Sequence, residues 1–284
     1  MRILITGGAG MLGRDVAAAA EAAGHEAISL PRGELDITSS GDVERALSEL
    51  RPDAVVNCAA WTDVDGAESE YHRAVAVNGP GAGNVARAAA GVGAWTVHIS
   101  SDYVFDGAKR EPYLESDRVG PRSGYGRSKL EGERAVAEGA PRGHTIVRSS
   151  WLFGTGGGCF PATILRLAAE REKLSVVDDQ VGCPTFTGHL AGALVDLAVR
   201  GDDAPLGLLH VAGGGQCSWF EFAGEILAGV PGCEVVPVTS AEFVRPAPRP
   251  AYSVLRSERG APVLPHWRQG LREYLALTAG VKAP

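Results

Sequence analysis

The segment Tyr125-Gly-Arg-Ser-Lys129 sets a phenol and an ammonium four residues apart. On a helix, residues i and i+4 share a face, so both groups can converge on one site. A free tyrosine titrates near about pH 10, too high for ready proton exchange at neutral pH, and a nearby cation lowers that value by stabilising the phenolate. Lysine is scarce in this chain: of 27 basic residues only Lys109, Lys129, Lys173 and Lys282 are lysines. A sequence that otherwise writes arginine places one of them here, where a compact ammonium acts differently from a planar guanidinium. The pair predicts a proton donor, Tyr125, with Lys129 as its electrostatic helper. The plainer alternative is an incidental Tyr and Lys on a helix surface.

A third polar group belongs near them. His98-Ile-Ser-Ser101-Asp102-Tyr103 closes an apolar run, and in doubly wound folds the carboxyl ends of strands are where ligands bind. Ser101 can donate a hydrogen bond to a carbonyl oxygen and stabilise charge developing there. Either Ser100 or Ser101 can instead cap the following turn. His98 lies inside the strand and reads as a satisfied core residue rather than a base.

Gly7-Gly8-Ala9-Gly10-Met11-Leu12-Gly13 follows a strand-like run and opens a helix-like one. That context suits a dinucleotide: Gly7 makes the tight turn, Gly10 lets a pyrophosphate approach the backbone, and Gly13 lets helix and strand pack closely. The helix N-terminus offers free N–H groups to phosphates. At the end of the second strand Ser29-Leu-Pro-Arg32 carries no acid before Glu34. An acid there favours NAD, whereas an arginine accommodates a 2′-phosphate. Arg32 therefore favours NADPH over NADH, unless it is only a solvated loop charge. Asp36 and Ile37 are placed beside the adenine, and Asn57-Cys-Ala59-Ala60 beside the nicotinamide ribose. Reducing a ketone needs a proton at oxygen while hydride reaches carbon, which is what the glycine turn and the Tyr125–Lys129 pair supply together.

Apolar runs at residues 2–6, 26–30, 54–57, 95–100 and 145–148 alternate with helical stretches at 13–23, 40–50, 71–92 and 125–137. Strict alternation of this kind implies βαβ units, hence an α/β, Rossmann-like, doubly wound parallel sheet. After Trp151 glycines and prolines cluster, with helical stretches at 161–171, 189–199 and 219–228. The expected division is a Rossmann domain over 1–150 and a smaller substrate-binding portion over 151–284, interleaved with the first.

With 284 residues, 45% hydrophobic and 21% charged, the chain reads as globular. A net charge of -7 argues against nucleic acid or a membrane surface as partner. Five scattered cysteines without a Cys-x-x-Cys pair suit reduced thiols. No apolar stretch is long enough to span a bilayer, and no signal peptide precedes the first strand. A cytoplasmic location is expected.

Together the glycine turn, the Ser-Asp-Tyr strand end and the Tyr-x-x-x-Lys helix resemble the extended short-chain dehydrogenase/reductase family, and more narrowly its sugar-nucleotide reductase subgroup. The narrower resemblance runs over nearly the whole chain. It is carried by Gly10-Met-Leu-Gly13, Leu35-Asp-Ile-Thr38, Asn57-Cys-Ala-Ala-Trp-Thr-Asp-Val-Asp65 with Ala67-Glu68, and Ser100-Ser-Asp-Tyr-Val-Phe105. Later marks are Arg148-Ser-Ser-Trp151, Asp179-Gln-Val-Gly-Cys-Pro-Thr185, and Arg249-Pro250 ahead of Ser253-Val-Leu255.

The resemblance implies NAD(P)H-dependent reduction of the C4 ketone of a dTDP-linked 4-dehydro-6-deoxyhexose, foremost dTDP-4-dehydro-L-rhamnose; another dTDP-4-keto-deoxysugar is the alternative. By it Ser101, Tyr125 and Lys129 form a catalytic triad, serine standing where threonine is common. Gly10, Met11, Leu12, Ala60, Trp61, Thr62, Tyr125 and Lys129 would touch the cofactor. Ser101, Asp102, Tyr103 and Trp151 would touch the sugar nucleotide, with Thr62 and Val64 nearby. Some members dimerise through magnesium held by acids; Asp15 matches one such position but lacks partner acids, so no metal is expected, and the chain is expected as a monomer or homodimer. Related 4,6-dehydratases carry an Asp-Glu pair where this sequence has Asp102-Tyr103, which disfavours water loss. A C4 epimerase is disfavoured by Trp151 and the 179–185 segment. A non-catalytic NADP-binding regulatory subunit is disfavoured by the intact Ser101, Tyr125 and Lys129.

Overall fold

The computed structural model describes residues 1–279. Its first part alternates β1 (Arg2–Thr6), α1 (Met11–Ala22), β2 (Glu26–Leu30), α2 (Ser40–Leu50) and β3 (Ala54–Asn57). Then come α3 (Gly66–Ser69), α4 (Tyr71–Ala76), α5 (Ala82–Gly91), β4 (Trp95–Ser101), α6 (Gly124–Gly139) and β5 (His144–Ser149). The remainder adds β6 (Leu152–Phe153), α7 (Phe160–Glu170), β7 (Lys173–Val177), β8 (Val181–Gly182), β9 (Thr185–Phe186) and α8 (Thr187–Arg200). It ends with β10 (Gly207–His210), β11 (Cys217–Ser218), α9 (Trp219–Ile226), β12 (Glu234–Val238) and α10 (Trp267–Ala279).

Six strands form one parallel sheet in the order β10-β5-β4-β3-β1-β2. The central strands β1 and β3 are apolar on both faces because both faces are covered. Ile3 and Ile5 join the core beneath α1 and α8, whereas Leu4 and Val55 join the core beneath α2 and α5. The chain leaves β1 toward β2 on one side and places β3 on the other. The crevice outside the carboxyl ends of β1 and β3, where Thr6 pairs in register with Asn57, is thus the topological switch point.

After residue 150 the chain returns to this sheet. Helix α8 supplies Leu190, Leu194 and Leu197 to the core shared with β1, and β10 becomes the edge strand beside β5. The intervening segments pair locally, β6 with β9, β7 with β12 and β8 with β11. They enclose a second core around Phe153, Phe222, Trp267 and Tyr274.

Two expectations on the elements need correction. The helix expected over 71–92 is broken at Val77–Gly81 into a π-helical turn containing Pro80, which has no N–H for an α-helical bond. The edge strand β10 was not foreseen, because Gly-Leu-Leu-His is too short to show alternation and gains its hydrogen bonds only from β5.

Candidate active site

The glycine turn is built for a ligand that lies against bare backbone. Gly7 adopts φ +67°, and a β-carbon there would meet the Ala59 backbone at 2.7 Å. A β-carbon on Gly13 would meet the Gly7 carbonyl at 2.5 Å, so α1 can sit this close to β1 only with glycine. Gly10 is the N-cap of α1, and no side chain caps its first turn. The N–H groups of that turn and the positive end of the helix therefore face the crevice unclaimed by the protein, as a pyrophosphate requires.

The strand ends hold the rest of this wall by hydrogen bonds. Asn57 Oδ1 accepts from Thr6 Oγ1 at 2.6 Å and from the Ala59 N–H at 3.2 Å, tying the ends of β1 and β3 together. Asn78, in the π turn, accepts from the Trp61 N–H at 2.8 Å and donates to the Trp61 carbonyl at 3.1 Å and to Ser128 Oγ at 2.9 Å. It clamps the 59–62 segment to α6, a role that no local pattern around Asn78 announced. The break in the expected long helix is what turns Asn78 toward that segment.

Ser101, Tyr125 and Lys129 line the same cavity, of about 730 Å³. Ser101 Oγ donates to Asp102 Oδ1 at 2.9 Å and accepts from the Tyr103 N–H at 3.2 Å. Ser101 thus caps the turn that follows β4, while Ser100 turns inward to Glu133 Oε1 at 2.6 Å. Lys129 is buried and donates to the Ile99 carbonyl at 2.6 Å. Burial pulls its ammonium down to about 8, with the Glu133 carboxylate pulling the other way. Burial likewise pushes the Tyr125 phenol up to about 12, Ser101 opposing the rise. Burial dominates at both groups, and the ammonium is engaged with the Ile99 carbonyl.

Behind these groups lies a buried ion pair that the motifs did not reveal. Glu133 stands one turn beyond Lys129 and accepts from Arg148 Nε at 2.7 Å and Nη2 at 2.6 Å. Arg148 also packs over the Phe105 ring at 4.9 Å. His98 is a buried core residue with one ring nitrogen partnered: Nδ1 meets Asn57 Nδ2 at 3.1 Å, and among the described residues Nε2 meets no hydrogen-bond partner.

Thr62, Val64, Asp102, Tyr103 and Trp151 also line the cavity. Asp102 is buried, and burial pushes its carboxyl up to about 6, Ser253 and Ser101 opposing the rise. Nearby, Asp65 accepts from Arg245 at 2.6 Å and from Arg249 at 2.9 Å, fastening the 58–65 segment to the loop before Ser253. Those guanidiniums hold the Asp65 carboxyl well below the usual range. Trp219 was missed from sequence; it lies flat on Trp151 and also lines the cavity.

Arg32, Asp36 and Ile37 lie at the outer end, where Arg32 Nη2 is 3.4 Å from Asp36 and both side chains are exposed. Of the residues placed at the cofactor, the substrate or the reaction, all from Gly7 to Trp151 line one cavity except Asn57, which stands behind the wall and holds it through Thr6 and Ala59. Asp15 lies elsewhere, with its Oδ2 buried and unpartnered beside Thr187. Among the described residues no three His, Cys, Asp or Glu side chains gather as a metal site.

A parallel sheet that sets a phenol, a buried ammonium and a hydroxyl across one crevice from an uncapped glycine turn defines a class, the Rossmann-type oxidoreductases of the short-chain dehydrogenase/reductase kind. Comparison with known proteins narrows the class. The family model described as RmlD substrate binding domain matches residues 1–279. The dTDP-4-dehydrorhamnose reductase of Streptomyces griseus is 45% identical, over 98% of this chain and 94% of that protein. The dTDP-4-keto-6-deoxy-D-glucose reductase of Streptomyces niveus is 39% identical, over 97% of each. The crystal structure of dTDP-4-dehydrorhamnose reductase from Bacillus anthracis, in complex with NADP, superposes with a TM-score of 0.92 at 38% identity, covering 97% of this chain and 99% of that one. This chain belongs to the RmlD substrate binding domain family.

Proposed function

We propose that this protein uses NADPH to reduce the C4 ketone of a dTDP-linked 4-dehydro-6-deoxyhexose, converting dTDP-4-dehydro-L-rhamnose to dTDP-L-rhamnose. The observation that carries the reading is the meeting of Ser101, Tyr125 and Lys129 in the cavity that the glycine turn opens, in a chain of this family. The uncapped first turn of α1 with Gly7 and Gly10 holds the pyrophosphate, Ala59 to Thr62 border the nicotinamide ribose, and Arg32 meets the 2′-phosphate. When bound, the nicotinamide supplies the hydride. Tyr125 Oη gives its proton to the ketone oxygen, and Ser101 Oγ holds that oxygen as charge develops on it. Lys129 stabilises the phenolate left behind. Asp102, Tyr103 and Trp151 hold the sugar nucleotide, with Thr62 and Val64 beside them. Residues 1–150 carry the cofactor, and the interleaved 151–284 portion, whose residues 280–284 lie outside those described, contributes Trp151 to the sugar site.

The Streptomyces niveus relative supports a second reading, reduction of a different dTDP-4-keto-6-deoxyhexose at the same site. We place the protein in the cytoplasm, as a monomer or homodimer. Its five cysteines are free, and no helix among the described residues is long and apolar enough to cross a membrane. The decisive experiment follows the nicotinamide absorbance of NADPH and NADH with dTDP-4-dehydro-L-rhamnose generated in situ. Oxidation of NADPH is expected, faster than that of NADH. No oxidation of either cofactor would defeat the main reading, and faster NADH turnover would remove Arg32 from its role.

A further inference from the structure

Trp219 lines the cavity beside Trp151, and the reaction chemistry above makes no use of it. Its indole lies flat on that of Trp151, with ring centroids 3.5 Å apart and planes 5° from parallel. Both rings are only half-buried, and both line the cavity.

The two partners reach this stack by different routes. Trp151 has a left-handed backbone, φ +48°, which side chains other than glycine rarely adopt. A β-carbon at Gly182 would come within 2.4 Å of the Trp151 ring, so the indole can lie there only because position 182 is bare. Trp219 begins α9, whose start is fixed by the reciprocal cap between Ser218 and Glu221. Ser218 Oγ donates in turn to Asp178 Oδ1 at 2.5 Å. Phe160 packs against Trp219 at 4.5 Å between centroids. Trp219 is thus the anchored ring, and Trp151, between β5 and β6, is laid against it.

We infer that Trp219 is a specificity-determining residue, the fixed half of a two-indole wall that decides which dTDP-linked 4-keto-6-deoxyhexose fits against Trp151. The inference rests on the proposed sugar-nucleotide reaction. A deoxyhexose presents C–H faces and a methyl group, and rigid apolar rings select among epimers by which face can lie flush. Core packing alone would bury Trp219 among Phe160 and Phe222, with no need to face the cavity. Removing a shape-selective apolar contact changes discrimination by about tenfold or more.

The test compares Trp219→Leu, which removes the aromatic face, with Trp219→Phe, which keeps one. Each is assayed with dTDP-4-dehydro-L-rhamnose and dTDP-4-keto-6-deoxy-D-glucose, and by titration with dTDP-L-rhamnose and, separately, NADP. In Trp219→Leu the ratio of kcat/KM between the two ketones is expected to collapse by about tenfold, through KM. The dTDP-L-rhamnose Kd should rise while the NADP Kd stays unchanged. The circular-dichroism couplet of the stacked indoles should vanish. Trp219→Phe should keep most of the discrimination, and it carries the test if the leucine variant does not fold. An unchanged substrate ratio in Trp219→Leu, or equal loss of discrimination in both variants, overturns the role of Trp219 while leaving the reaction standing. A wild-type chain that neither oxidises NADPH with either ketone nor binds dTDP-L-rhamnose overturns both.

Discussion

Lys129 reaches from α6 to β4 and donates to the Ile99 carbonyl at 2.6 Å. One bond therefore ties the helix that carries Tyr125 to the strand that ends in Ser101. A strand carbonyl whose N–H···O ladder is incomplete at the sheet's end gains a charged donor. The ammonium gains a fixed place close to the phenol, and burial makes that place costly to keep charged.

That cost has a pH signature. Lys129 titrates at about 8 in the folded chain, against 10.5 for the free side chain. The ammonium is present below about 8 and lost above it, so kcat/KM should fall as pH rises through that value. Stability runs the other way. Between about 8 and 10.5 the unfolded chain binds a proton here that the folded chain does not, so this group's contribution to folding stability rises across the window. Denaturation of wild type and Lys129→Met at several pH values checks this: the stability difference between them should shift in favour of wild type from pH 8 to 10.5. A difference independent of pH would remove the buried ammonium from the account.

Tyr125→Phe takes away one hydroxyl from a cavity wall and leaves the ring that meets Tyr103 at 5.5 Å. NADP affinity is expected to stay within about twofold, while kcat falls by about two to four orders of magnitude, the usual span for a positioned proton donor. Cofactor titration beside steady-state kinetics separates the two effects. Near-normal kcat would take the proton-donor role from Tyr125.

Glu133 and Arg148 form a doubly hydrogen-bonded pair in the core. Removing one partner leaves a buried charge uncompensated, at a cost of about 3–5 kcal/mol, whereas replacing both by apolar groups of similar size is close to neutral. Glu133→Leu and Arg148→Met singly should each lower stability by about that much, and the double variant should recover most of the loss. Chemical denaturation of the three variants checks it. Additive losses in the double variant would mean that the two side chains act independently.

The alternation of strands and helices, the glycine turn and the Tyr125–Lys129 spacing could be read from the residues alone. The apolar runs of β1 and β3 are dictated by burial on both faces. The turn from Gly7 to Gly13 is dictated by backbone contacts that a β-carbon would violate, and a helical turn brings Tyr125 and Lys129 to one face. These features were legible because each depends on residues near one another in the chain. The tertiary structure alone decided the rest. Asn78 holds Trp61 across 17 residues, Glu133 finds Arg148 across 15, Asp65 finds Arg249 across 184, and β10 completes the sheet only beside β5. Long-range pairing leaves no periodicity in the sequence. The protonation of Tyr125 and Lys129 was likewise beyond spacing, because desolvation depends on everything packed around a group, not on its neighbours in the chain. Spacing brought phenol and ammonium together; the burial that raises the one and lowers the other, and the Trp219 ring that backs Trp151, came from the fold.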